Sequence, residues 1–260
     1  MLKVWTLLLL LLLALAPATW AAPALENLPY RISLGGFEEV GRGNLSFKEL
    51  GPCRYQAEFS GGGSGVWSLL SRWLPEGYHT EMIFRNGRLQ PLVFQERLQI
   101  RGRRVVKEYR FDYQKGRLEH WRGTDGQPST KRWQVPLKEP IYDPLSLFYN
   151  IRIGALGPLT AGETLRVQTI PTPDPEEILI NLGPESAQGR KVMLTIREKS
   201  GRERGPYFLY VGPQGVPQTA WIRVLRFGRL SGELMDTGGI MPEEQLNLFK
   251  PQMTSRQELQ

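Results

Sequence analysis

The side chains able to do chemistry are few and widely spaced. His79 and His120 are the only histidines and Cys53 the only cysteine. No Cys/His set with zinc-ligand spacing exists, and neither histidine lies in a pattern that pairs it with a thiol. Asp174, Glu176 and Glu177 have calcium-compatible oxygens but no EF-hand spacing, and Pro171, Pro173 and Pro175 mark that stretch as a rigid loop. The tract Gly61-Gly62-Gly63-Ser64-Gly65 lacks the Gly-Lys-Ser/Thr ending of a phosphate loop. Ser64 and Ser231 sit near glycines without forming Gly-x-Ser-x-Gly. Glu38 with Glu39, or Glu96 with Glu108, are the carboxylate pairs available for glycoside cleavage, which needs a separation of about 5–10 Å. The pattern therefore predicts a protein without catalytic residues, metal or cofactor.

Two helical segments carry the residues from which a binding site is expected. Tyr142 to Arg152 has Asp143 placed to cap the first free N–H groups and Pro144 at the first helical turn. Leu145, Leu147, Phe148, Tyr149 and Ile151 leave it almost no polar side, so it is expected to be buried. Arg152 then needs a partner, with Asp143 and Glu163 as candidates. Asp143, Ser146, Tyr149 and Arg152 form either a polar ligand site beside a sheet or a cap and a structural ion pair. In the other segment Val66, Leu69, Leu70, Trp73 and Leu74 fall on one face of a helix that Pro75 ends. The glycine tract before it is suited to a hinge, so Trp67, Leu70 and Trp73 are candidates for a lid over an apolar cavity. A permanent core plug is the plainer alternative.

Strands must position these pieces. Alternation with period two dominates from Tyr78 onwards: Tyr78, Thr80, Met82 and Phe84 share a face, Asn86-Gly87 signals a two-residue hairpin, and Tyr109, Phe111 and Tyr113 line another face. Further strands are expected over 89–100, 118–121, 131–137, 163–169, 178–182, 191–198, 207–211, 219–227 and 229–234. About a dozen short strands separated by Gly, Pro and Asn predict a mainly β fold: one large curved antiparallel sheet, an open barrel or a sandwich, with two short helices.

The N-terminus carries an export signal. Lys3 precedes the Leu/Ala run from Leu7 to Ala16, which Pro17 interrupts at about half the length of a membrane span. Thr19-Trp20-Ala21 and Ala22-Pro23-Ala24 offer small-x-small cleavage sites, and no Cys follows as a lipid acceptor. The expected organisation is a signal peptide over 1–24, one β-rich domain over 25–235, and a partly disordered tail over 236–260 in which Met241 to Phe249 form one short docking helix. A single cysteine allows no internal disulfide, so a half-buried, inert Cys53 is expected. The formal charge of +7 falls only to +6 when Lys3 leaves with the leader. In an exported chain that charge is expected to be a solvated face that keeps the protein soluble; the alternative is a contact with anionic envelope components rather than nucleic acid, centred on the densest basic region between Arg97 and Arg132.

Several segments together resemble the exported bacterial family called domain of unknown function 3108. Asn86 to Phe94 resembles its glycine-to-proline strand. Asp143-Pro144-Leu145-Ser146 with Tyr149 and Arg152 resembles its Asp-Pro-x-Ser helix, and Gly162-Glu163-Thr164-Leu165 the strand that follows. Tyr210-Val211, Pro217 to Val224 and Gly228 to Leu234 resemble its closing strands, so the resemblance runs from about Tyr55 to Leu234. Gly212-Pro213-Gln214-Gly215 departs from it, standing where acidic turn residues are commoner. The resemblance implies an envelope location and a β-rich fold similar to the open barrels of lipoprotein carriers, and no established activity. The leading expectation is a monomeric periplasmic protein that binds a lipid or acyl chain without catalysis. The alternatives are an assembly module binding another envelope protein or the cell wall, and a wall-polymer hydrolase.

Overall fold

The computed structural model describes residues 24–63, 76–100, 102–124, 127–157, 160–170, 176–198, 200–224 and 228–249. The predicted signal peptide, apart from Ala24, and the segment bearing Trp67, Leu70 and Trp73 lie outside them. Fourteen strands follow in chain order: β1 (Ala24–Leu34), β2 (Phe37–Gly51), β3 (Arg54–Gly62), β4 (Gly77–Arg85), β5 (Arg88–Ile100), β6 (Arg103–Asp112), β7 (Arg117–Thr124), β8 (Thr130–Pro136), β9 (Thr164–Thr169), β10 (Glu176–Ser186), β11 (Gly189–Arg197), β12 (Glu203–Val211), β13 (Pro217–Val224) and β14 (Gly228–Leu234). Helix α1 (Pro144–Arg152) lies between β8 and β9, and α2 (Glu243–Asn247) follows β14.

All fourteen strands form one antiparallel sheet in the order β8-β7-β6-β5-β4-β3-β2-β1-β14-β13-β12-β11-β10-β9. The expected curved sheet is thus observed, as an open barrel whose edges are β8 and β9. An open sheet of this width curls, because strand twist accumulates and one face must be buried. Register shifts in most of the strand pairs, including those at Glu81/Met82, His120/Trp121 and Leu194/Ile196, add local bending. Hairpin chemistry is local: Asn86 and Gly87 both take positive φ, 54° and 70°, as the tightest two-residue turn demands. Cys53 also takes positive φ, in the turn after β2, and is exposed rather than half-buried.

Helix α1 fills the concave side of the first half of the sheet. Leu145, Tyr149 and Ile153 join Leu28, Phe47, Ala57, Met82 and Leu89 in one cluster, with Phe47 stacked on Tyr149 at 4.2 Å. The segment after β14 completes this core: Met241, Leu246 and Phe249 are buried in it, and α2 is the expected short docking helix. Beyond α1, Phe94, Tyr109, Phe111 and Leu118 form a second cluster on the same face.

Candidate functional site

Helix α1 starts where the sequence predicts. One Asp143 carboxylate oxygen accepts from the N–H groups of Leu145 (2.9 Å) and Ser146 (3.0 Å) and from the Thr80 hydroxyl (2.7 Å). The Ser146 hydroxyl accepts from the Asp143 N–H in return, at 3.0 Å. This capping box ties the helix to β4. The other Asp143 oxygen is buried without a partner, and burial raises the carboxyl above its ordinary pKa despite these hydrogen bonds.

One turn later, Asn150 does what the sequence reading missed. Its side-chain oxygen accepts from the Leu89 N–H (2.9 Å), and its amide nitrogen donates to the Leu89 C=O (2.8 Å) and the Ser146 C=O (2.7 Å). The β5–β6 register begins only at Val93. At Leu89 the Asn150 amide therefore replaces a neighbouring strand, and Pro91, which has no N–H, tolerates the gap. The only sequence signal was a lone amide in an otherwise apolar helix.

Arg152 finds neither Asp143 nor Glu163. Its partner is Glu26 of β1, whose carboxylate accepts from Arg152 Nη1 at 2.6 Å, from the Tyr149 hydroxyl at 2.9 Å and from the Met241 N–H at 3.0 Å. Both charged side chains are 0% exposed. The reason for the correction is tertiary: capping occupies Asp143 at the opposite end of α1, whereas the sheet carries Glu26, 126 positions earlier, under the last turn. Arg152 Nε also donates to the Gln214 C=O at 3.2 Å, which holds the β12–β13 turn against the helix. Burial, with the Glu26 charge beside it, pushes the Tyr149 phenol well above its usual pKa.

On the far side of α1, Leu147 and Ile151 pack with Ile178, Ile180, Leu182 and Val192 in a third apolar cluster. Beside this cluster a cleft of about 750 Å³ opens between the helix and the concave face of β10–β12. Leu147, Phe148 and Ile151 wall it on the helix side, and Ile180, Leu182, Val192, Leu194, Leu209 and Val211 on the sheet side. The turn Gly212-Pro213-Gln214-Gly215 and α2 flank it, and Arg152, Glu185, Arg190, Gln214 and Glu243 are its polar members. Its size falls within the range of small-molecule sites, and its walls are apolar with few polar groups.

Of the predicted site residues that are described, the fold therefore brings only Arg152 to the cleft. Asp143 is engaged by Thr80 and Ser146 by Asp143, and Tyr149 is sealed in the core between Phe47 and Glu26. Trp67, Leu70 and Trp73 lie outside the described residues. Glu96 and Glu108 sit on opposite faces of the sheet, since Glu96 pairs in register with Lys107 and Glu108 with Gln95, so they cannot flank one bond. The basic stretch from Arg97 to Arg132 is largely paired internally, as Arg97 with Glu58, Arg104 with Glu76, Lys107 with Glu96 and Arg117 with Glu119.

A family described as "Protein of unknown function (DUF3108)" matches residues 29–202. That span includes the strand around Asn86, α1 and β9, and stops before the closing strands. No curated protein matches. Among solved structures, a β-barrel-like protein of domain of unknown function DUF1849 from Brucella abortus aligns with 10% identity and a TM-score of 0.48, over 83% of this chain and 96% of its own.

Proposed function

The chain belongs to the DUF3108 family, and we propose that it is a non-catalytic envelope protein whose open barrel holds a lipid or other acyl chain between α1 and strands β10–β12. The cleft carries this reading. Nine apolar side chains, from Leu147 to Val211, line a space that no described residue fills. Phe148, Ile151, Leu194, Leu209 and Val211 remain only partly buried there, and apolar surface left open in a concave site is characteristically kept for a ligand. Arg152 is already paired with Glu26, and Glu185, Arg190, Gln214 and Glu243 suit the polar end of an amphiphile; the leader read from Lys3 to Ala24 supports an envelope location.

The test is extraction of the purified protein with organic solvent and mass spectrometry of the extract, together with titration of the extracted protein with a fluorescent fatty acid. A stoichiometric acyl compound and saturable binding that Leu194→Trp abolishes are expected. Protein free of lipid that also fails to bind the probe would sink the proposal. Fractionation of cells producing the protein addresses location separately, with release of the shortened chain from the envelope expected.

A further inference from the structure

The convex face of the strands that wall the cleft carries a cation–aromatic array. Met193 of β11, Phe208 of β12 and Trp221 of β13 stand directly opposite one another in register, and all three are partly exposed. The rings of Phe208 and Trp221 stack at 4.1 Å with an interplanar angle of 21°. Lys191 Nζ lies 5.1 Å from the Phe208 ring centre, and the Arg229 guanidinium 4.6 Å from that of Trp221. Four side chains thus form a cation, ring, ring, cation series across β11–β14.

Two features of this face call for an anionic partner. Arg223 and Arg229 are directly opposite in the β13–β14 register, an arrangement that repels. Among the described residues neither of them, nor Lys191, has an ion pair. The carboxylates nearby are engaged: Glu233 pairs with Arg31, and Glu203 with Arg197. Three exposed, uncompensated cations therefore ring a partly exposed Met, Phe and Trp.

We propose that the convex face of β11–β14 docks on an anionic phospholipid surface, with Lys191, Arg223 and Arg229 at the phosphates and Phe208, Trp221 and Met193 at the boundary between headgroups and acyl chains. An apolar centre with cationic flanks matches that layered chemistry, and Trp favours that depth. A nucleic acid fits less well. Single-stranded bases bind by stacking on ring faces, and here Phe208 and Trp221 cover each other while Lys191 and Arg229 lie over their rings. The surface is separate from the cleft, so either proposal can fail alone.

The test is co-sedimentation of the protein with vesicles of phosphatidylcholine alone and of an equimolar mixture with phosphatidylglycerol. Binding to the mixed vesicles only, weakened by salt, is expected. Each cation near the surface contributes about fivefold, so neutralising all three as Lys191→Gln, Arg223→Gln and Arg229→Gln weakens binding roughly a hundredfold. A matched control, Arg103→Gln with Arg122→Gln and Arg132→Gln, changes net charge equally and leaves most of the affinity. Trp221→Thr weakens the part of the binding that persists at high salt. Thermal melting confirms that each variant is folded. Equal binding to both vesicle types, full affinity in the triple variant, greater loss in the control, or binding to duplex DNA without binding to vesicles would each overturn the proposal.

Discussion

The two halves of the sheet carry the same alternation of apolar and polar residues and put it to different use. Across β1–β7 the concave face is filled: Leu28, Ala57, Met82, Leu89 and Leu118 are all 0% exposed beneath α1 or the aromatic cluster beside it. Across β10–β12 only Ile178, Ile180, Leu182 and Val192 are buried on that face among the described residues, while Leu194, Leu209 and Val211 remain partly open to the cleft. One nine-residue helix cannot cover fourteen strands. Its capping box and the Asn150 amide fasten it to β4 and β5, so the unfilled space falls on the other side. The first half is filled throughout, and the second combines a smaller buried cluster with room for a ligand.

The sharpest way to break this contrast is at β1, where the halves meet. Glu26→Ala leaves Arg152 buried and unpaired and strips the Tyr149 hydroxyl and Met241 N–H of their acceptor. A loss of about 3–5 kcal/mol is expected in urea unfolding. The double variant Glu26→Leu/Arg152→Met recovers part of it, because no buried charge remains uncompensated.

Truncations of matched chemistry sharpen the comparison next. Leu118→Ala in the filled half should cost about 2–5 kcal/mol. Leu209→Ala, at the wall of the cleft, should cost less than about 1.5 kcal/mol in the ligand-free protein, since that side chain is only partly removed from water. Equal losses at the two positions would contradict the division. Asp143→Ala follows, at about 2 kcal/mol, because the cap supplies two backbone bonds and the Thr80 bond.

The smallest effect is a pH dependence confined to the filled half. His120 lies between Tyr109, at 4.7 Å, and Trp133, at 4.9 Å, with both ring nitrogens buried and unpartnered. Burial, helped by Lys107, Arg122 and Arg132, pushes its pKa from 6.5 down to about 4. The unfolded chain therefore binds this proton at a higher pH than the folded one. The stabilising contribution of neutral His120 is full above pH 6.5 and is lost as pH falls towards 4. His120→Phe should flatten the fall in melting temperature over that window, and an unchanged slope would show that His120 does not cause it.

Much of this architecture was legible in local chemistry. Asn86-Gly87 can make the tight turn it makes because both residues tolerate positive φ, and Asp143-Pro144 starts α1 because cap and ring geometry act within a few residues. The alternation at Tyr78, Thr80, Met82 and Phe84 marked an inward face. The strands before Tyr78 were harder to see: the mixed run Phe37-Glu38-Glu39-Val40 and the glycines at 41 and 43 hide the period.

The candidate site was legible only in part, and for a physical reason. The residues and their spacing determined the β class, the start and burial of α1, and the lack of a zinc-ligand set, since these depend on side-chain type and on neighbours within one or two turns. That Arg152 pairs with Glu26 rather than Asp143, that Asn150 stands in for a strand, and that the cleft opens toward β10–β12 were decided by tertiary structure. Each depends on which strands the curling sheet brings beneath a short helix, and that curvature is summed over fourteen strands rather than encoded at any one of them.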